Sequence, residues 1–461
     1  MKFGGTSVGS ADAIAQTIEI VRQSQEKAQR IIVIVSAMSG VTNLLQEGLV
    51  SAATGSLDRY PEVVRTLREK HAEAAGQLVT DNIQRDTLVA EINALIERYR
   101  LLCDSVRVLG ETTPRALDYA MGLGERFSAR LVAAAMNQVG MKAQAIDATD
   151  LIITDNLFQN ASPIMEATEA RVNDTLKPIL ELGVIPVITG YIGSTADGIP
   201  TTLGRGGSDY SAALIGAVTQ SDELWIWTDV DGVMSADPRI VPQARILTHL
   251  TYAEVGELAY YGAKVLHPKT IRPALEAGIP LRVRNTFNAS HLGTLIVGNA
   301  TADTGQIKAV TMIRDLSLIT VEGKGMLGVP GIAARTFNSV ASVGASILLI
   351  TQSSSEQSIC FVVSRASSGL VADRVGYEFS QEIARRDVDR VFIEDDVAIL
   401  TVVGAGMRKA KGIAGAVFSA VGQAGVNVIA IAQGSSECSI SLVVNAADAE
   451  AALLAIHPLT L

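Results

Sequence analysis

Residues 184–189 read VIPVIT, and residues 202–218 read TLGRGGSDYSAALIGAV. The first is a strand-length apolar run. The second is a glycine-rich loop that opens into a helix over 210–218. Similar apolar runs stand at 31–36 (IIVIVS), 224–228 (LWIWT) and 281–283 (LRV), with longer helical stretches between them. Alternation of buried strands with helices predicts a largely parallel sheet covered on both faces. Residues 55–110 interrupt it with a charged helical segment. There Leu88, Ile92, Leu95, Tyr99 and Leu102 recur at helical spacing and define one apolar face. That segment reads as a peripheral helical pair without chemistry.

The chain has 461 residues, enough for about three domains. Apolar residues make up 48% and charged residues 19%, so it folds rather than remaining disordered. Abundant Gly and Ala with only 4% aromatics suit a closely packed α/β enzyme. The apolar runs fall far short of the roughly 20 residues that span a bilayer, and MKFGGTSVG lacks the apolar stretch of a secretory signal. A net charge of −10 without a long basic run argues against nucleic-acid partners. Cys103, Cys360 and Cys438 are too scattered for a metal site or a disulfide framework. The expectation is a reduced, cytoplasmic protein with no membrane partner.

The C-terminal third repeats itself. Residues 331–363 and 412–444 align without a gap at an offset of 81, and 15 of the 33 positions are identical, where chance gives about two. Each copy reads as strand, glycine-rich turn, helix, strand, strand. In the helices Phe337 and Val340 match Phe418 and Val421, and Gly344 and Gly425 end them. That is most of a ferredoxin-like unit, and two copies predict a packed pair of small domains.

Four motifs carry chemistry. In Lys2-Phe3-Gly4-Gly5-Thr6-Ser7, the glycines let backbone N–H groups approach an anion, and Lys2 adds a point charge. In Thr202–Asp209, three glycines and Ser208 precede a helix and leave free N–H donors. Arg205 offers a fork suited to a carboxylate, and Asp209 can orient a cation or cap the helix. Thr228 and Asp229 stand at the carboxyl end of a buried strand, where open α/β sheets bind ligands, and Asp237-Pro238-Arg239 follows. In Gly262–Pro268, Lys264 is a second candidate phosphate-facing cation, whereas His267 before Pro reads as structural. Each motif has a plain alternative as a turn, a cap or a solvated side chain.

Other patterns are missing. There is no Walker loop and no protein-kinase HRD or DFG, and the five His residues form no metal or hydrolase pattern. Gly404-Ala405-Gly406-Met407-Arg408-Lys409 imitates a dinucleotide fingerprint, but Lys409 replaces its third glycine. Gly323-Lys324-Gly325-Met326 stands at the matching place in the other repeat, so the motif belongs to the repeated unit.

Taken together, KFGGTSVG at 2–9, SAMSGVTNLL at 36–45, TLGRGGSDYSAALIG at 202–216, WTDVDGV at 227–233 and GAKVLHP at 262–268 resemble the aspartokinase branch of the amino acid kinase family. The C-terminal repeats resemble its tandem ACT domains. The resemblance implies a three-layer αβα kinase domain over 1–300 and two ferredoxin-like ACT domains over 301–390 and 391–461, with strand exchange between the two left open. It implies ATP with Mg²⁺ carried mainly by the phosphates, L-aspartate as acceptor, and the first step toward lysine, threonine and methionine. Lys2, Lys264 and Asp209 would be catalytic. Thr42, Glu125, Arg205, Ser208 and Asp209 would surround aspartate. Lys2, Gly4, Gly5, Thr228, Asp229, Met234, Arg239, Lys264 and Val265 would line the nucleotide site. The acceptor carboxylate, with a reference pKa near 4, is already ionised at pH 7 and needs no general base.

Two positions depart from the family pattern. Only Met1 precedes Lys2, which leaves the first strand nearly absent and suggests a mis-assigned or trimmed start; Met234 stands where many relatives have Tyr. The chain ends at Leu461 without a homoserine dehydrogenase portion, so a monofunctional enzyme is expected. An end-product amino acid is expected where the repeats pack, with Gln352 and its equivalent Gln433 as contacts and Asn427 (counterpart Ser346) as a third. QSSSE and QGSSE favour threonine, with lysine the alternative, and ACT pairing implies a homodimer or homotetramer. The competing readings are a kinase for glutamate, acetylglutamate or UMP, a catalytically silent amino-acid sensor, and a dinucleotide oxidoreductase resting on 404–409 alone.

Overall fold

The computed structural model describes residues 1–55, 58–262, 266–298, 307–353, 357–434 and 436–460. The chain divides into two compact units. The first comprises Met1–Val233, Thr248–Tyr252 and Val265–Asn299; the second comprises Met234–Leu247, Ala253–Lys264 and Ala300–Leu461. The segments 234–247 and 253–264 therefore cluster with the C-terminal unit, unlike the expected continuous domain over 1–300. Their side chains explain why. Ala236 and Val241 enter an apolar core of the second unit, and Ser235 accepts a backbone bond from Val310 at 2.8 Å.

The strands of the first unit are, in chain order, β1 (Lys2–Phe3), β2 (Val33–Val35), β3 (Ala143–Ile146), β4 (Ile153–Thr154), β5 (Ile185–Thr189), β6 (Ile192–Thr195), β7 (Pro200–Thr202), β8 (Leu224–Thr228), β9 (His249–Thr251), β10 (Leu281–Asn285) and β11 (Thr294–Val297). Eight of them form one sheet in the order β3-β5-β2-β1-β8-β10-β11-β9, parallel except where β11 runs against β10. A second, three-stranded sheet joins β4, β6 and β7. Each apolar run read as a strand is one. Val33–Val35 and Ile185–Thr189 are buried at every residue, as a sheet covered on both faces requires.

The helices are α1 (Ala11–Gln25), α2 (Val41–Ala53), α3 (Arg59–Leu78), α4 (Asn82–Leu109), α5 (Pro114–Met121), α6 (Leu123–Gln138), α7 (Met165–Glu181), α8 (Gly207–Val218), α9 (Tyr252–Tyr260, assigned to the second unit from Ala253) and α10 (Pro268–Glu276). Phe3, Val33, Val35 and Val187 share one core with α1–α4 and α6. On the other face α8 packs against β1, β2 and β8 and is flanked by α7 and α10. The charged segment is the pair α3–α4, with Leu88, Ile92, Leu95 and Tyr99 buried and Leu102 half-buried.

The second unit is built on one antiparallel sheet in the order β13-β14-β12-β15-β17-β16. Its elements are β12 (Ala309–Glu322), α11 (Ile332–Ser342), β13 (Ile347–Gln352), β14 (Ser358–Ser364), α12 (Arg365–Glu378), α13 (Ser380–Arg385), β15 (Arg390–Val403), α14 (Ile413–Gln423), β16 (Val428–Gln433), β17 (Ser439–Asn445) and α15 (Ala449–Ile456). The expected order of elements holds in both copies, and Gly344 and Gly425 end their helices in left-handed conformation (φ 70° and 72°).

The strands divide differently from the expected 301–390 and 391–461. Both β12 and β15 serve two halves. Leu318–Glu322 pair with Glu394–Arg390, while Ala309–Ile313 pair with Val403–Ile399. The register shifts between these stretches, beside Asp315 and Asp396, which are equivalent under the 81-residue offset and both left-handed (φ 60° and 57°). Ile319, Val321, Val340 and Phe361 pack in one core; Val310, Leu400, Val417 and Leu442 pack in another. The first half of β12 therefore completes the second repeat from ahead of the first. Leu316, Leu349, Ile399 and Val443 form a third core shared by the two halves.

Candidate active site

β1 lies mid-sheet, with β2 on one side and β8 on the other, so the strand order reverses there. Such a switch point opens a crevice at the carboxyl ends of the strands. Beyond Phe3 the chain turns at once: Gly4 N–H donates to Trp227 O at 3.0 Å, tying the end of β1 to the end of β8. A Cβ on Gly5 would stand 3.1 Å from Ala37 O, so this turn sits tightly on the β2–α2 loop.

Two helices begin at the crevice. Gly40 (φ 81°) opens α2, Gly206 (φ 73°) opens α8, and neither has a side-chain cap. The N–H groups of Val41 and Gly207 turn back to Met38 O and Gly204 O, both at 3.0 Å. The next ones, of Thr42 and Asn43 and of Ser208 and Asp209, are left to an anion, with the positive end of each helix dipole behind them. The start of α8 packs tightly on the β5–β6 turn: a Cβ on Gly190 would meet Ser208 Cβ at 2.6 Å, and one on Gly207 would meet Tyr191 Cδ2 at 2.7 Å.

A cavity of about 540 Å³ brings together seven residues singled out in the sequence: Lys2, Gly5, Thr42, Glu125, Arg205, Ser208 and Asp209. Lys2 Nζ lies 2.7 Å from Asp209 Oδ1, and both side chains are largely buried. Glu125, in the first turn of α6, is buried and its Oε2 has no hydrogen-bond partner. Burial pushes its pKa up to about 8, against backbone hydrogen bonds and the positive charge of Lys2. Arg205 is exposed on the loop between two left-handed glycines, Gly204 and Gly206.

Of the expected nucleotide residues, Lys2 lies in β1, and Gly4 and Gly5 follow it directly. Thr228 and Asp229 stand at the end of β8, where Thr228 Oγ1 donates to Asp229 Oδ1 at 3.1 Å. Met234 and Arg239 belong to the second unit, where Arg239 is exposed and pairs with Asp237 at 2.6 Å. Lys264 and Val265 lie outside the described residues. His267 caps α10 by accepting from Lys269 N at 3.3 Å, in keeping with its structural reading. The turn at 404–409 contains a short 3-10 helix, and α14 starts only at Ile413, so no long helix follows the imitation fingerprint directly.

Sequence reasoning missed Gln159, Tyr191, Asn43, Gln46 and Met121 on the cavity wall. Gln159 and Tyr191 are left-handed at φ 69°, which residue type alone does not signal. In the second unit, Gln352 and Gln433 end β13 and β16, two strands in mutual contact; both side chains, like Asn427, are exposed.

The fold and this site define an amino acid kinase. Residues 1–285 match the amino acid kinase family, and residues 319–379 and 400–458 match the ACT domain. Over 99% of the chain it is 37% identical to bifunctional aspartokinase/homoserine dehydrogenase 1 of Arabidopsis thaliana, of which it spans 50%. It is 33% identical to aspartokinase 2 of the same plant, covering 99% of this chain and 83% of that protein. E. coli aspartokinase III, solved with aspartate and ADP, superposes with a TM-score of 0.81 at 30% identity over 99% of this chain and 98% of that one. With lysine and aspartate bound, the same enzyme gives 0.78 at 29%, with the same coverage. The chain belongs to the aspartokinases, and it spans about half the length of the bifunctional relatives it matches.

Proposed function

We propose that this protein transfers the γ-phosphoryl of ATP to the side-chain carboxylate of L-aspartate and that an amino acid bound to its ACT domains regulates it. The observation carrying this reading is one cavity that holds a buried cation, an exposed guanidinium and a buried carboxyl with one unpartnered oxygen. Arg205 and the opening of α8 receive the α-carboxylate, and Glu125 receives the α-ammonium. The side-chain carboxylate is the nucleophile and is ionised without help. Lys2, held by Asp209, neutralises charge on the transferring phosphoryl; catalysis is positioning and electrostatics.

The nucleotide lies at the ends of β1 and β8, beside Gly4, Gly5, Thr228 and Asp229. Lys264, Val265, Met234 and Arg239 join it by the family resemblance. By the family resemblance, Mg²⁺ would be held mainly by the nucleotide phosphates. That ion would neutralise phosphate charge.

The effector proposed is threonine, at Gln352, Gln433 and Asn427; lysine is the alternative, and the E. coli relative was solved with it. A homodimer or homotetramer through the ACT domains completes the proposal. No helix among the described residues is long and apolar enough to cross a membrane. A cytoplasmic location is proposed from the scattered thiols, although the plant relatives are named chloroplastic. ADP release tested with L-aspartate, L-glutamate, N-acetylglutamate and UMP decides the acceptor. Release with L-aspartate alone supports the proposal, and release only with another acceptor refutes it.

A further inference from the structure

Asp118 lies on α5 and belongs to none of the sequence motifs. It is fully buried and makes no salt bridge among the described residues, yet both carboxylate oxygens are engaged. The backbone N–H of Gln159 reaches both, at 2.9 and 3.1 Å; Thr202 donates its N–H at 2.9 Å and its hydroxyl at 2.8 Å. Burial pushes the Asp118 carboxyl above its ordinary pKa, and these donors oppose that. A buried carboxylate without a counter-ion is costly, so what it holds together matters.

It holds three walls of the acceptor cavity. Gln159, left-handed, lies on one wall. Thr202 ends β7; the next residue, Leu203, donates to Tyr191 O at 2.9 Å, and the Gly204–Arg205–Gly206 turn follows. That turn presses on the first wall, since a Cβ on Gly204 would meet Asn160 Oδ1 at 2.9 Å and Gln159 O at 3.1 Å. α5 runs through Gly122 directly into α6, whose first turn carries Glu125.

We infer that Asp118 is a positioning residue: by tying Gln159 and Thr202 to α5, it fixes the spacing between Arg205 and Glu125 and so selects the length of the amino-acid acceptor. The inference rests on the acceptor reading above. A displacement of about 1 Å at such a site costs on the order of a hundredfold in rate.

The test is steady-state kinetics of the full chain with Asp118→Asn and Thr202→Val. Asp118→Asn keeps the shape but turns an amide toward N–H donors. The KM for L-aspartate should rise about tenfold or more, the KM for ATP should stay within about twofold, and the preference for L-aspartate over L-glutamate should fall. Thr202→Val keeps the N–H bond but removes the hydroxyl, which also meets the Tyr191 phenol, and should shift the same parameters in the same direction by about threefold. If Asp118→Asn does not fold, Thr202→Val decides. An inactive wild type sinks the acceptor reading and this inference with it. An active wild type sinks this inference alone if both variants keep its KM for L-aspartate, or if both substrates' KM values rise in proportion.

Discussion

Lys2 and Asp209 meet at 2.7 Å, one from the central strand β1 and the other from the first turn of α8. The pair joins the two glycine-rich motifs that looked separate in sequence. Asp209 also faces the positive end of α8, so the carboxylate is supported from both sides. If Lys2 has the proposed role on the transferring phosphoryl, Lys2→Met should lower kcat about 10²–10³-fold with little change in the KM for L-aspartate. Equal losses in kcat and in aspartate affinity would assign Lys2 to acceptor binding instead.

In the proposed ammonium-binding role, Glu125 makes acceptor binding depend on pH. Its carboxyl, raised to about 8 by burial, is largely protonated at pH 7 in the ligand-free protein and must ionise to receive an ammonium. The KM for L-aspartate should therefore fall about eightfold between pH 7 and pH 8.5. The sign for stability is opposite. Below the unfolded pKa of about 4.3 the group costs nothing, and the cost grows as pH rises toward 8. Glu125→Gln should raise the melting temperature at pH 8, leave it unchanged near pH 4, and abolish tight acceptor binding. A KM flat from pH 7 to 8.5 would remove Glu125 from the ammonium site.

His71 should make the fold sensitive to acid. Its Nδ1 donates to Leu67 O at 2.7 Å, its Nε2 has no partner, and its ring meets Phe127 edge-on at 4.8 Å. Burial lowers its pKa from 6.5 to about 4. Stability it confers as a neutral ring is full above the unfolded pKa and is lost as pH falls through 6.5 toward 4, by about 2 kcal/mol at pH 5. Urea denaturation at pH 7 and pH 5 measures this, and His71→Phe should shrink the difference. An unchanged difference would place the acid-sensitive group elsewhere.

Gly48 on α2 is set by Tyr99 on α4: a Cβ there would stand 2.2 Å from the phenolic oxygen, which donates to Leu45 O at 2.9 Å. Gly48→Ala should destabilise by about 1–3 kcal/mol. Tyr99→Phe in the same chain should recover part of that loss, a coupling readable by a double-mutant cycle. Strictly additive losses would contradict the contact.

The proposed regulatory site invites one more test. Gln352→Ala and Gln433→Ala should each weaken threonine inhibition about tenfold while leaving uninhibited kcat unchanged. Inhibition by lysine alone, or threonine inhibition untouched by both changes, would move the site.

How much of this was legible in sequence depends on what each feature requires. Val33–Val35, Ile185–Thr189 and Leu224–Thr228 were readable because strands with both faces covered are apolar throughout. The exchange of β12 was not, because Ala309–Ile313 lies outside the repeated stretch and its partners are far along the chain. In the site, the glycine loops and charged residues announced themselves by composition. Gln159 and Tyr191 did not, since their left-handed backbones are imposed by packing, and Asp118 reads in sequence as an ordinary helical acid.

The most direct measurement is hydroxylamine trapping of the product formed from ATP and L-aspartate, with wild type and Arg205→Ala in parallel. The expected result is aspartyl hydroxamate at the side-chain carboxylate in step with ADP, and a large rise in the KM for L-aspartate in the variant. ADP release without hydroxamate, or an aspartate KM indifferent to Arg205, would contradict the assignment of this cavity as the acceptor site.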